Sequence, residues 1–243
     1  MELRGGVAVV TGAARRVGAA IALALADAGC NVVINYRRSA TDAEATAVRA
    51  RSAGVTAITV QGDVSQTAGV TRLLESTLAT FGRVDVLVAN AGTFRRTPVD
   101  TLTEADWDDI LDNNLRASFL CAHRFGLHMR DHGGGVVIAL ADVAGLRPWA
   151  DYLPYSVAKA GVIALTQGLA KALAPTVRVN AIAPGPVLFP DDYDPVLRDR
   201  EVARTLLRRQ GSPQNIADAV LALVRNDYLT GVILPVDGGR VLT

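Results

Sequence analysis

The sequence predicts one α/β domain, a doubly wound parallel sheet of about seven strands with helices on both faces. Three observations predict it. Short apolar runs near 7–11, 31–36, 56–61, 84–89, 135–140, 177–182 and 232–236 alternate with stretches of helical pattern, the order that makes βαβ units. These runs are nearly continuous in Val, Ile, Leu and Ala, as strands covered on both faces require. At 243 residues and 50% hydrophobic, the chain is long enough to cover one sheet twice.

The first run, Val7-Ala-Val-Val10, ends in Thr11-Gly-Ala-Ala-Arg-Arg-Val-Gly18, followed by Ile21, Leu23, Ala24, Leu25 and Ala28 in helical spacing. This is strand, glycine turn, helix. Gly12 permits a backbone conformation closed to other residues, Gly18 permits close approach of helix and strand, and the helix amino terminus offers N–H groups to a pyrophosphate. The turn is that of a Rossmann dinucleotide site, with Gly12, Arg15, Arg16, Val17 and Gly18 against the cofactor. The second strand runs into Tyr36-Arg37-Arg38-Ser39, with no acid before Asp42. An acid at that strand end would hold a ribose 2′-hydroxyl. Arg16, Arg37 and Arg38, with Ser39, would instead surround a 2′-phosphate, so the expected cofactor is NADPH.

The third strand leads to Asp63 and Val64, the fourth to Asn90-Ala91-Gly92, and the sixth to Pro184-Gly185 and Val187. All stand at carboxyl ends of strands, where a doubly wound sheet opens its ligand crevice. After the fifth strand come Asp142, Arg147-Pro-Trp149 and Pro154-Tyr155-Ser-Val-Ala-Lys159. Trp149 is placed to line the substrate pocket or to pack. Tyr155 and Lys159, spaced i,i+4, share one helix face, and an ammonium beside a phenol favours its ionised form near neutral pH. The longest irregular stretch is Pro184 to Asp194, and a substrate lid is expected at about 184–210.

With Thr11-Gly12 to Gly18, Asp63, Asn90-Ala91-Gly92, Asn114 in Asn113-Asn-Leu115, Tyr155 with Lys159, and Pro184-Gly185 in one order, the chain resembles the short-chain dehydrogenase/reductase family from about Val7 to Gly239. The resemblance implies hydride transfer with Asn114, Tyr155 and Lys159 as catalytic residues. It implies a cofactor held also by Tyr36, Asp63, Val64, Asn90, Ala91, Gly92, Tyr155, Lys159, Pro184, Gly185 and Val187. It further implies a homotetramer, which suits a helix over Val157 to Ala174 that is apolar on more than one side through Val162, Ile163, Leu165, Leu169 and Leu173.

Two departures sharpen the reading. Arg16 stands where the family usually has its middle glycine, and Asp142, thirteen residues before Tyr155, where it usually has serine. A serine hydroxyl donates to a substrate carbonyl oxygen, whereas an ionised aspartate only accepts and would repel a developing oxyanion. Both departures occur together in the pteridine reductase branch, which the chain also resembles at Asn35-Tyr-Arg-Arg-Ser39, Thr93-Phe-Arg-Arg-Thr-Pro98 and Asp237-Gly-Gly-Arg240. That resemblance implies NADPH-dependent reduction of a pterin or dihydropterin. By position Asp142, Tyr155 and Lys159 would then take the catalytic roles, with Asp142 and Tyr155 meeting the substrate, Phe94 would stack on its ring opposite the nicotinamide, and Leu188 would line the pocket. Gly92 departs from this branch, which commonly has serine there. A 3-oxoacyl thioester reductase and a non-catalytic NADPH-binding regulator are the alternatives.

Other chemistry finds no signal. With 25 basic and 24 acidic side chains and no charge block, nucleic acid is not an expected partner. Cys30 and Cys121 lie in apolar settings that suit buried free thiols and a reducing compartment. Nowhere do eighteen apolar residues run together, so a soluble cytoplasmic protein is expected. His128 and His132 are spaced i,i+4 without a Glu-bearing zinc pattern, and no metal is expected. Asp108-Asp109 reads as a helix face and Asp191-Asp192 as a loop.

Overall fold

Strand β1 (Val7–Val10) shows why the apolar runs are continuous. Ala8 and Val10 point into one core and Val7 and Val9 into another, so every position is buried. The computed structural model describes residues 2–189 and 193–243. After β1 follow α1 (Arg16–Asp27), β2 (Asn31–Tyr36), α2 (Ala40–Ser52), β3 (Ala57–Gln61), α3 (Thr67–Phe81), β4 (Val86–Ala89), α4 (Glu104–Leu111) and α5 (Ala117–Asp131). Then come β5 (Gly135–Leu140), α6 (Leu153–Leu173), β6 (Val177–Pro184), α7 (Pro195–Ala203), α8 (Pro213–Arg225) and β7 (Ile233–Val236).

The described residues form a seven-stranded sheet in the order β3-β2-β1-β4-β5-β6-β7, with every pairing parallel. The chain winds outward from β1 to β3, then returns to the other side of β1 to begin β4. Strand order therefore reverses between β1 and β4, and a crevice opens at their carboxyl ends. Ile21 and Leu25 of α1 and Ile216, Val220 and Leu223 of α8 cover one face. Leu73 of α3, Phe125 and Met129 of α5, and Leu173 of α6 cover the other. The doubly wound sheet expected from the sequence is the observed fold.

Some boundaries moved for physical reasons. The fourth strand begins at Val86 rather than Val84; the Asp85 backbone still bonds to Val7 and Val136, but the Val7 N–H that would extend the ladder donates to the Asp85 carboxylate instead, at 2.8 Å. Strand β6 runs on to Pro184, which pairs with Val236 of the edge strand β7 and so carries Pro184-Gly185 to the crevice. Helix α6 starts four residues early, with Pro154 in its first turn, where a missing N–H costs nothing. Along it Val162 and Leu173 are buried, whereas Ile163, Leu165 and Leu169 are only half-buried. Cys30 and Cys121 are buried free thiols, pushed by burial up to about 11 and about 12 respectively.

Gly18 sets the approach of α1 to the sheet. A Cβ there would lie 2.4 Å from the Gly12 carbonyl oxygen and 2.9 Å from the Ala13 Cα, both backbone atoms that cannot swing aside. Gly18→Ala should therefore destabilise the protein by about 1–3 kcal/mol. Gly168, exposed in α6 with nothing within 4 Å of its missing Cβ, supplies the contrast. There Gly168→Ala should stabilise by about 0.5–1 kcal/mol, so thermal melts of the two variants should shift in opposite directions.

Candidate active site

Two cavities meet at the crevice. The smaller, about 490 Å³, is lined by Gly12, Arg15, Arg16, Val17 and Gly18 after β1, and by Tyr36, Arg37, Arg38 and Ser39 at the end of β2. Asp63, Val64, Asn90, Ala91 and Gly92 complete its wall. The larger, about 1300 Å³, is lined by Asn114, Asp142, Tyr155 and Lys159, by Phe94, Trp149 and Leu188, and by Pro184, Gly185 and Val187. Every site residue expected from the sequence thus borders one cavity or the other. Arg15, Arg16, Val17, Asn90 and Gly92 border both.

The smaller cavity fits a dinucleotide. Thr11 Oγ1 accepts from the N–H groups of Asn90 and Ala91, both at 2.9 Å, and Asn90 Nδ2 donates to the Thr11 carbonyl at 2.8 Å, pinning the turn to β4. Gly12 has φ +61°, and Arg15 caps α1 with extended backbone and no side-chain hydrogen bond, leaving the first-turn N–H groups for an anion. The three arginines expected around a 2′-phosphate are placed differently from one another. Arg37 donates to Asn113 Oδ1 at 2.9 Å and meets Asp63 at 3.4 Å. Arg16 donates from Nη2 to the carbonyls of Leu188 and Phe189, at 3.3 and 3.2 Å. The Arg38 guanidinium has no hydrogen-bond or ion-pair partner among the described residues, and with Ser39 it borders the cavity. Arg16 also holds φ +58°, a left-handed conformation that costs a non-glycine residue about 1 kcal/mol.

Bordering the larger cavity lies a trio of which Tyr155 and Lys159 are buried and Asp142 is half-buried. The chain leaves β5 into a 3₁₀ turn, Val143–Gly145, that Asp142 caps by accepting the Ala144 N–H at 2.8 Å. The other carboxylate oxygen of Asp142 accepts the Tyr155 hydroxyl at 2.9 Å. Lys159 Nζ donates to the Leu140 carbonyl at 2.7 Å and stands 5.6 Å from the Tyr155 ring centre. The turn can lie this close to α6 because residue 145 is glycine, whose missing Cβ would meet the Lys159 backbone at 2.7 Å.

Burial dominates the charges. It pushes Asp142 up to about 6 against the Ala144 N–H and the Lys159 ammonium, and it brings Lys159 down to about 8. Tyr155 is held well above the usual phenol value by burial and by the neighbouring Asp142. The expectation that Lys159 would favour an ionised tyrosine is corrected here, because desolvation and a carboxylate at hydrogen-bond distance outweigh an ammonium lying over the ring. Tyr155 is thus a neutral phenol beside a carboxyl group raised to about 6.

Asn114 lies in a π-helical turn, Asp112–Arg116, between α4 and α5. Its Nδ2 donates to the Ile110 carbonyl at 2.9 Å and the Thr93 carbonyl at 3.1 Å, and its Oδ1 is buried without a partner. A Cβ on Gly92 would come within 2.6 Å of that oxygen, so a side chain at 92 would require the Asn114 amide to shift.

Several cavity residues escaped the sequence reading. The chain has only 2 Trp, 5 Tyr and 5 Phe, yet half of them border the larger cavity: Phe94, Trp149, Tyr152, Tyr155, Phe189 and Tyr193. Phe94 stacks on Tyr152 at 4.6 Å and 10°, and stands edge-on to Tyr155 at 5.1 Å and to Trp149 at 6.4 Å. Tyr152, three residues before Tyr155, was the one visible signal. Arg240 of the Asp237-Gly-Gly-Arg240 segment is buried and pairs with Glu201 of α7 at 2.9 Å, a contact no local pattern announces. His128 and His132 stack at 4.2 Å at the end of α5, and Asp109, on the exposed face of α4, meets Arg95 at 3.5 Å. The Asp191-Asp192 pair lies outside the described residues.

The comparisons with known proteins agree with this geometry at the level of family. A family described as enoyl-(acyl carrier protein) reductase matches residues 12–240. A 3-oxoacyl-[acyl-carrier-protein] reductase of Synechocystis sp. is 39% identical over 241 residues, covering 97% of each protein. Its counterpart from Staphylococcus aureus is 35% identical over 240 residues, covering 97% of this chain and 98% of that one. A solved short-chain dehydrogenase/reductase from Serratia marcescens, a double mutant, superposes with a TM-score of 0.92 at 31% identity, covering 99% of this chain and all of the other. These names match the oxoacyl reductase alternative and give the pteridine reductase branch no support of their own. They also leave a purely regulatory protein without support. The chain is an oxidoreductase, and it belongs to the short-chain dehydrogenase/reductase family.

Proposed function

We propose that this oxidoreductase uses NADPH to reduce a pterin or dihydropterin. The observation that carries the reading is the part-buried hydrogen bond from Tyr155 to Asp142, at 2.9 Å, where the family usually places a serine hydroxyl. A carboxyl group can accept from the N–H edge of a heterocycle, and with a proton held until about pH 6 it can resupply Tyr155. When bound, NADPH supplies the hydride. Tyr155 then gives a ring nitrogen its proton, Asp142 orients and reloads the phenol, and Lys159 and Asn114 hold the cofactor side of the site. The aromatic lining supports a flat substrate, and Phe94, stacked on Tyr152 on one face, keeps 38% of its surface exposed to meet one. NADPH rather than NADH is supported by Arg38 and Ser39 in the cavity and by the missing acid at the end of β2. We extend the proposal to a cytoplasmic homotetramer, supported by the half-buried Ile163, Leu165 and Leu169 of α6 and by Phe119 of α5, 41% exposed.

The names of the curated relatives favour a second reading, reduction of a 3-oxoacyl thioester. For that reaction Asp142 must be protonated, so that it donates to the carbonyl oxygen in place of a serine hydroxyl. NADPH consumption with a dihydropterin and with an acetoacetyl thioester separates the two. The pterin reading expects turnover of the dihydropterin, a loss of roughly 10²-fold or more in Asp142→Ser, and NADPH binding unchanged. Brisk thioester reduction with no turnover of any pterin would overturn it.

Four further outcomes follow from the site. Tyr155→Phe, which removes the transferable proton and little volume, should cost roughly 10²-fold or more in turnover. Losing one charge-assisted phosphate contact in Arg38→Ala should cut the preference for NADPH over NADH about tenfold, and equal use of both by the unmodified protein refutes the 2′-phosphate site. Turnover that needs a protonated Asp142 should fall as pH rises through about 6. Stability should follow the same group. Its folded value of about 6 lies above the unfolded 3.8, so its contribution is full below about pH 4 and lost as pH rises through 6. The loss is on the order of 2–3 kcal/mol. Melting Asp142→Asn beside the unmodified protein at pH 4.5 and pH 8 should show the variant gaining relative stability at the higher pH.

A further inference from the structure

We propose that Arg16 is a positioning residue that ties the dinucleotide turn to the segment leading from Pro184 to Phe189, so that this wall of the substrate cavity is held from the cofactor side. The guanidinium reaches across the crevice and donates to two successive carbonyls, Leu188 at 3.3 Å and Phe189 at 3.2 Å. Nearer β6 the segment has other anchors. Gly185 N–H donates to Val236, Gly211 N–H to the Pro186 carbonyl at 3.0 Å, and Gln210 Nε2 to the Val187 carbonyl at 3.2 Å. Past Val187 the anchors change. Among the described residues, Arg16 is the only hydrogen-bond donor to the carbonyls of Leu188 and Phe189.

The backbone of residue 16 gives an independent reason to look for a role. At φ +58° glycine would be unstrained, yet the chain keeps a long cation there. Strain retained at a turn points to what the side chain does. Arg16 borders both cavities, so it is placed to sense one and shape the other. Its Nε and Nη1 have no partner among the described residues, which leaves a donor edge for a phosphate oxygen of the nucleotide while Nη2 holds the segment. Nucleotide binding and order in the segment are then linked, and linkage of this kind is reciprocal. The departure from the family's glycine thus acts on the substrate wall, and Arg38 is left to meet the 2′-phosphate.

Hydrogen–deuterium exchange of the amides of residues 187–189, first in the protein without ligand, tests the tether. Loss of two charge-assisted hydrogen bonds should speed exchange about tenfold or more in Arg16→Ala and Arg16→Gly, with Arg16→Lys between these and the unmodified protein. The glycine variant should melt higher than the alanine variant, because only glycine relieves the backbone, which separates a lost tether from a damaged fold. Unchanged exchange in both variants overturns the proposal, and Arg16→Lys, with its backbone preference kept, decides the matter if the smaller variants do not fold. A second arm adds NADP⁺ and rests on the cofactor site proposed above, whereas the first does not. NADP⁺ should slow exchange in the unmodified protein and leave Arg16→Gly unaffected at saturating nucleotide. Equal slowing in both would keep the tether and overturn the coupling, and absence of NADP⁺ binding to the unmodified protein would count against the cofactor assignment and against the coupling together.

Discussion

The site is organised around one constraint: a carboxyl group buried beside a phenol. Asp142 is held by the Ala144 N–H on one oxygen and the Tyr155 hydroxyl on the other, and neither oxygen is left to wander. Burial makes the charged form expensive, so the proton stays until about pH 6 and the phenol stays neutral. Local features of the sequence serve this contact. Gly145 lets the 3₁₀ turn rest against the backbone of α6, and the i,i+4 spacing of α6 brings Lys159 to the same face as Tyr155. The ammonium, which spends one of its three N–H donors on the Leu140 carbonyl, compensates the carboxyl group only in part, because desolvation is the larger effect.

The sheet supplies the frame in which such a contact can be rigid. Reversal of strand order between β1 and β4 opens the crevice, and the carboxyl ends of β1, β4, β5 and β6 each deliver one part of its lining. Thr11 ties β1 to β4 through the Asn90 and Ala91 amides, and the π-helical turn aims Asn114 toward the Gly92 corner. Position 92 shows how tightly these parts are fitted. A side chain there would meet the Asn114 amide oxygen at 2.6 Å, so any change at 92 moves Asn114 as well.

Legibility from sequence followed the range of the forces involved. Strands were legible because both faces are buried and the apolar runs say so directly, and the glycine turn because its conformation admits few residues. Boundaries slipped where a side chain took over a backbone partner, as Asp85 does for Val7. In the site, residues in sequence-local motifs were found, including Tyr155, Lys159, Asn114 and the arginines after β2. Contacts between distant segments were not, such as Arg240 with Glu201 or Arg16 with Phe189, because no periodicity records them. The protonation state of Tyr155 was misjudged for a related reason. Spacing along α6 reveals the ammonium, but the depth of burial and the nearness of Asp142 appear only in three dimensions.

Whole-chain similarity and local chemistry pull apart on the question of substrate. Identity of 35–39% to oxoacyl reductases extends over 97% of the chain and bears on the fold and the family, which many residues determine together. Substrate choice rests on far fewer atoms. A serine hydroxyl and a carboxyl group differ little in volume, so exchanging them leaves the fold and the family match nearly untouched while reversing what the site can offer a carbonyl oxygen above pH 6. The aromatic rings around the larger cavity point the same way as Asp142, for a flexible acyl chain gains little from the stacking surfaces that a flat heterocycle uses. Where a long similarity and a short chemical contradiction disagree, the contradiction bears on the substrate and the similarity on the fold.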